Sequence, residues 1–167
     1  MPKKQKPTPT TNPITVFVDT SIIVDIDRGK QTTIELCKQL THTNSAYIST
    51  VSVSEILTGS YLRKDHTIAV KKAEKVLNQF RWVSLNGETA KLIAELNAYL
   101  IAKGQTIEYQ DIAIAASFLL ENCNILLTEN KEHFERLPNL KGKVMTVKEF
   151  YQKTTEHFYE KPFCPTC

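Results

Sequence analysis

Hydrophobic positions along the chain follow two rhythms. Short, nearly continuous apolar runs recur at Ile14 to Val18, Ala46 to Ser49, Trp82 to Leu85, Asn124 to Thr128 and Lys143 to Thr146. Runs of this length, rich in β-branched and aromatic residues, predict strands. Between them the apolar residues fall at helical spacing. Ile34, Leu36, Cys37 and Leu40 stripe a segment from about Thr33 to Thr41, and Val53, Ile56 and Leu57 stripe Thr50 to Tyr61. Ile68, Ala69, Ala73, Val76 and Leu77 do the same over Thr67 to Phe80. Glu88 to Lys103 is the most amphipathic segment, with Gly104 just past its end as a stop signal. In the segment Tyr109 to Asn122, Ile112-Ala113-Ile114-Ala115-Ala116 is apolar on all sides, which predicts a buried helix. Helices from Ile22 to near Gly29 and from Val147 to about Thr155 complete the set.

Strands alternating with helices predict an α/β fold, an α/β/α sandwich around a mostly parallel sheet of about five strands. Val16-Phe17-Val18 suits a central strand, buried on both faces. At 167 residues the chain is expected to form one domain, spanning 13–155. Residues 1–12 read as a disordered basic tail and 156–167 as a C-terminal tail. The net charge of +3 equals the contribution of Lys3, Lys4 and Lys6, so the body is neutral and net charge does not argue for nucleic-acid binding by the fold. No apolar run reaches the length of a membrane span, and the N-terminus lacks the apolar core of a secretory signal. A reducing cytoplasm is the expected compartment. Cys37 and Cys123 sit in apolar context and read as buried thiols. Cys164-Pro-Thr-Cys167 has metal or redox spacing, but only His157 lies near enough in sequence to add a zinc ligand. The chain has five glycines and neither a G-x-G-x-x-G turn nor a Walker loop, which argues against nucleotide binding.

The candidate chemistry is carboxylate chemistry. Asp19 ends the first strand, at the sheet edge where ligands bind in parallel α/β folds. Glu55 lies in the first turns of the helix after the second strand, and Asp111 opens the buried helix. Each has a local alternative. Asp19 or Thr20 could cap the following helix. Glu55 completes a Ser52-x-x-Glu55 capping box. Asp111 is favoured at a helix start by the macrodipole. Yet an acid set against Ile112-Ala-Ile-Ala-Ala needs a charged partner, either a cation or a Lys or Arg. Two to four carboxylates suffice for Mg²⁺ or Mn²⁺, which takes oxygen ligands and keeps several waters.

Taken in order, Val16-Phe-Val-Asp-Thr-Ser21, Ile48-Ser-Thr-Val-Ser-Val-Ser-Glu-Ile-Leu-Thr-Gly59, the segment Lys103 to Ala116 and Leu126-Leu-Thr-Glu-Asn-Lys-Glu-His-Phe134 resemble the four motifs of the PIN-domain family, and within it the VapC-type toxins. The resemblance covers about residues 14 to 150. It implies a metal-dependent endoribonuclease of a toxin–antitoxin pair that leaves a 5′-phosphate and a 3′-hydroxyl. Asp19, Glu55 and Asp111 match the family's acids. Asp19 and Asp111 would hold Mg²⁺ or Mn²⁺, with Glu55 ligating through water or acting as general base. Where the family often has a fourth acid, this chain has Asn130 or His133. Asn130 could ligate or orient water through its amide oxygen, and Glu129 or Glu132 could substitute. His133 could instead touch a phosphate or lie at the surface. Thr20, Ser21 and Thr128 are expected to orient the carboxylates. The resemblance also implies a homodimer and a small antitoxin whose tail reaches the acids, with the exposed side of the Thr50–Tyr61 and Thr67–Phe80 helices as its groove. The alternative is a catalytically weakened PIN module that binds RNA or protein without cleaving. A phosphohydrolase or receiver of similar topology would need paired acids, which Asp19-Thr-Ser21 lacks.

Overall fold

A computed structural model describes residues 14–43 and 45–159, with side chains up to 154. The basic N-terminal tail, the Cys164/Cys167 pair and the His157 side chain lie outside the described residues. Five parallel strands, β1 (Val16–Val18), β2 (Ala46–Ser49), β3 (Arg81–Val83), β4 (Ile125–Leu127) and β5 (Val144–Met145), form one sheet in the order β3-β2-β1-β4-β5. Eight helices lie among the described residues: α1 (Thr20–Asp27), α2 (Gln31–His42), α3 (Thr50–Tyr61), α4 (His66–Leu77), α5 (Gly87–Ala102), α6 (Tyr109–Leu120), α7 (Lys131–Glu135) and α8 (Val147–Tyr159). None is long and apolar enough to cross a membrane.

The alternation along β1 builds the two layers. Val16 and Val18 turn to one face, packed with Ile22 and Ile23 of α1, Leu36 and Leu40 of α2, and Phe150 of α8. Phe17 turns to the other, among Ile93, Leu96 and Leu100 of α5 and the apolar body of α6. Its ring meets Phe118 edge to face, with centroids 6.2 Å apart. Residues Ile112 to Ala116 are at most 1% exposed, so α6 is the buried helix its composition predicts. Its alanines let the backbone lie close to the sheet.

Several boundaries differ from expectation for local reasons. β1 starts at Val16 because Asn124 takes the Thr15 N–H (2.8 Å) and hydroxyl (2.9 Å) on its amide oxygen, leaving Ile14 exposed. β3 lies at Arg81–Val83 rather than Trp82–Leu85, and the Trp82 indole N–H donates to the Leu77 carbonyl at 2.9 Å. Helix α8 runs to Tyr159, past the boundary expected at residue 155, since no Gly or Pro interrupts it there. The short α7 is an addition to the turn expected before Phe134; the side chain of that residue, 0% exposed, anchors it.

Strand order decides where the site sits. From β1 the chain builds outward through β2 and β3, then returns to add β4 and β5 on the other side. The carboxyl ends of β1 and β4 therefore flank the switch point where such sheets open a crevice. Asp19 follows β1 there, and Thr128 follows β4.

Candidate active site

Asp19 is 2% exposed and held from all sides. Its Oδ1 accepts the Thr20 N–H at 2.6 Å, which caps α1. Its Oδ2 accepts the Ser21 hydroxyl and the Thr128 hydroxyl, both at 2.7 Å, and the Ser21 N–H at 3.4 Å. The capping alternative and the site reading thus describe the same carboxylate. Ser21 Oγ in turn accepts the Glu129 N–H at 3.0 Å, and Thr128 Oγ1 accepts the Asn130 N–H at 2.9 Å. The loop after β4 is thereby tied to Asp19 through two hydroxyls.

Glu55 is not in a capping box. Ser49 caps α3, accepting the Val51 N–H at 3.2 Å, while Ser52 lies inside the helix with its buried Oγ unpartnered among the described residues. The cap is thus Ser49, three residues before Ser52, and Glu55 sits in the second turn, where it reaches α1. There its Oε2 accepts the Thr20 hydroxyl at 2.6 Å. Asp111 occupies the first turn of α6, as the macrodipole favours, yet it is only 9% exposed. Its partner is neither Lys nor Arg: His133 Nδ1 lies 3.0 Å from Asp111 Oδ2. His133, with its side chain 44% exposed, thus holds a carboxylate through Nδ1.

Asp19, Glu55 and Asp111 line one pocket of about 370 Å³, together with Thr20, Ser21, Glu129 and Asn130. Asn130 does not cap α7 with its side chain, which leaves the amide at the pocket wall. Glu132 is not among the residues lining that pocket. It lines an adjoining depression over α7, with Lys131, His133 and Glu135, which shares Glu129 and Asn130 with the acidic pocket. A five-residue helix directs successive side chains apart, so adjacency to Asn130 in sequence does not carry Glu132 into the pocket. Glu129 reaches the pocket but faces Lys30 Nζ at 3.5 Å.

Three charged pocket residues escaped the sequence analysis. Asp25 and Arg28 come from α1 and the turn after it, and Glu108 precedes α6. Lys30 joins them through a 2.6 Å pair with Asp25. Asp25 follows Ser21 by four residues and Glu108 precedes Asp111 by three, spacings that share a helix face and could have flagged both.

The electrostatics follow from this crowding. Burial raises the Glu55 carboxyl above its ordinary value; the Thr20 hydroxyl opposes the rise, and the charges of Asp19, Asp111 and Glu108 add to it. Burial likewise raises Asp111, against the hydrogen bond from His133, with Asp19 and Glu108 pushing the same way as burial. Among the described residues no donor of the protein reaches Glu55 Oε1 or Asp111 Oδ1, and Asp19 Oδ1 accepts one bond. These oxygens keep lone pairs for a ligand. The donor set is all oxygen and mutually repelling, which fits a hard divalent cation. No three Asp, Glu, His or Cys side chains among the described residues close into a ready cage.

This five-stranded parallel sandwich, with acids gathered at the switch point, defines a class, and comparison with known proteins gives the same one. The PIN-domain family model matches residues 16–140, and the chain belongs to that family. It is 33% identical over 135 residues to a protein named Ribonuclease VapC from Rickettsia bellii, covering 79% of this chain and 96% of the relative. Among solved structures it resembles VapBC2 from Rickettsia felis bound to a DNA fragment from their promoter, with a TM-score of 0.71, 24% identity, and coverage of 80% of this chain and 98% of that one. It also resembles DNA-bound VapBC from Salmonella typhimurium, with a TM-score of 0.72, 18% identity and the same coverage. These two likenesses speak for the fold.

Proposed function

We propose that this PIN-domain protein is an endoribonuclease, the toxin of a toxin–antitoxin pair, and that it works in the cytoplasm with Mg²⁺ or Mn²⁺. The observation that carries the reading is the gathering of Asp19, Glu55 and Asp111, from three separate segments, around one pocket at the carboxyl edge of the sheet. The relative named as a ribonuclease, aligned over nearly its whole length, supports it.

Asp19 and Asp111 would hold the cation, and Glu55 would meet it through water. When bound, such an ion lowers the pKa of a water and offsets charge on the phosphate. The chain supplies the rest. Ser21 and Thr128 fix the Asp19 carboxylate, and His133 fixes that of Asp111. Glu55, with its raised pKa and an unbonded Oε1, is suited to take the proton of the attacking water. The Asn130 amide at the wall can orient that water.

The antitoxin would bind in an apolar groove. A groove of about 560 Å³ runs between α1, α3 and α4, floored by Ile23, Ile26, Ile56, Ala73 and Val76, and it shares Thr20 and Glu55 with the acidic pocket. An apolar segment lying there would bring its end to the acids. The homodimer belongs to the same reading, and light scattering checks it.

The test is cleavage of total small RNA by purified protein with Mg²⁺, Mn²⁺ or EDTA, beside Asp19→Asn and Asp111→Asn. The reading expects metal-dependent cleavage that both substitutions abolish. A folded, metal-loaded protein that cleaves no RNA would instead support the non-cleaving binding module.

A further inference from the structure

The rim of the acidic pocket carries a cation with no carboxylate of its own. Arg28 closes α1, where its backbone N–H bonds the Val24 carbonyl at 3.0 Å. Gly29, at φ +78, then reverses the chain, a conformation glycine adopts freely. The charges around Arg28 are already matched to one another. Lys30 Nζ pairs with Asp25 at 2.6 Å and reaches Glu129 at 3.5 Å, and Asp27 lies 3.6 Å from the Arg63 guanidinium. Among the described residues no ion pair or side-chain hydrogen bond engages the Arg28 guanidinium. It is exposed, and it lines both the acidic pocket and the apolar groove, at the seam they share with Thr20, Val24 and Glu55.

Electrostatics gives this position a use. Asp19, Asp25, Glu55, Glu108, Asp111 and Glu129 all line the pocket, and they repel a polyanion. A cation on the inner three can offset only the phosphate that it touches. The phosphates on either side meet the remaining acids unless the protein supplies a positive group at the rim. A guanidinium is the side chain whose planar fork fits a phosphate in two hydrogen bonds, and here it is not held by an internal acid.

We propose that Arg28 is a substrate-positioning residue, whose guanidinium grips an RNA phosphate adjacent to the one being cut. The proposal rests on the ribonuclease reading and adds to it the group that sets where the strand lies.

The test uses the full chain and a short fluorescein-labelled single-stranded RNA of random sequence. Binding is followed by anisotropy in Ca²⁺ across a range of salt, beside steady-state cleavage of total small RNA in Mn²⁺. Arg28→Gln should weaken binding about ten- to a hundredfold, the loss expected for a charge-assisted phosphate contact. It should lower the salt slope by about 0.7, one phosphate's share on a single strand. KM should rise more than kcat falls, with the melting temperature unchanged. Arg28→Lys should keep the salt slope while recovering only part of the affinity, because the fork is lost. Unchanged affinity and slope in Arg28→Gln, beside a wild type that binds RNA, would overturn the proposal. So would a fall in melting temperature with the slope intact, which is the signature of a structural role. A wild type that neither binds nor cleaves RNA would overturn the ribonuclease reading and this proposal together.

Discussion

Replacing Thr128 with Val removes one oxygen and keeps the shape of the side chain. Thr128 is fully buried, so the second methyl occupies the volume of the hydroxyl and leaves no cavity. Three hydrogen-bond contacts disappear, the weakest a 3.4 Å contact with the Ser21 hydroxyl. The bond to the Asn130 N–H at 2.9 Å lies next to an exposed residue, where water can replace it at little cost. The bond donated to Asp19 Oδ2 at 2.7 Å is charge-assisted and sits beside a carboxylate 2% exposed, where water does not reach. Such bonds contribute about 1.5–3 kcal/mol, so Thr128→Val should destabilise the protein by about 2 kcal/mol. For a chain of this size that lowers the melting temperature by about 4–8 °C. Urea denaturation of the metal-free protein measures it, with Asp19→Asn completing a double-mutant cycle. An amide cannot accept from Thr128 and Ser21 while also accepting the Thr20 N–H, so the cost of Thr128→Val should shrink by about 1 kcal/mol in that background. Affinity for Mn²⁺ should also fall about tenfold, since Asp19 loses one of the bonds that orient it. A cost below about 0.5 kcal/mol, or an equal cost in both backgrounds, would refute the claim that this hydroxyl holds Asp19.

Three further outcomes follow from the same geometry. His133→Ala should weaken Mn²⁺ binding about tenfold by releasing Asp111, read by calorimetry; unchanged affinity would mean that the imidazole does not position the carboxylate. Phe17→Ala should cost about 3–5 kcal/mol in urea, because it empties a site packed between two helices and against Phe118, while activity survives at temperatures where the variant stays folded. The third outcome concerns pH. Glu55 and Asp111 lie above their ordinary values of 4.5 and 3.8, so the folded protein binds their protons more tightly than the unfolded chain does. Their contribution to stability is full below the ordinary values and lost as pH rises through the raised ones. The metal-free protein should thus lose this contribution as pH rises above the ordinary values of 4.5 and 3.8, and Mn²⁺ should restore stability there. Glu55→Gln should flatten that profile and reduce cleavage by about 10²–10⁴-fold; a profile parallel to wild type would count against the crowded-acid picture.

Local signals in the chain determined most of the elements. The helix Thr50–Tyr61 and the strand Ala46–Ser49 appear with the boundaries their patterns predict, and the all-apolar face of Ile112 to Ala116 is buried. Periodicity and turn residues act over a few neighbours, and that range is enough to fix a helix or a strand. The resemblance of four short motifs added the acids Asp19, Glu55 and Asp111 in order. Ser52-x-x-Glu55 shows the limit of local reading. Its spacing suits a cap, but the chain enters the helix earlier, at Ser49, so that Glu55 can meet Thr20 across 35 residues. Only the tertiary structure decided which groups converge. The strand order sets Asp19 beside Thr128, 109 residues away, and seats His133 on Asp111. It also draws Arg28 to the pocket, which no nearby residue in the sequence announces, beside Asp25 and Glu108. A carboxylate's role depends on the charges and donors around it, and those are set by how strands return to the sheet, a long-range choice made by the packing of the whole core.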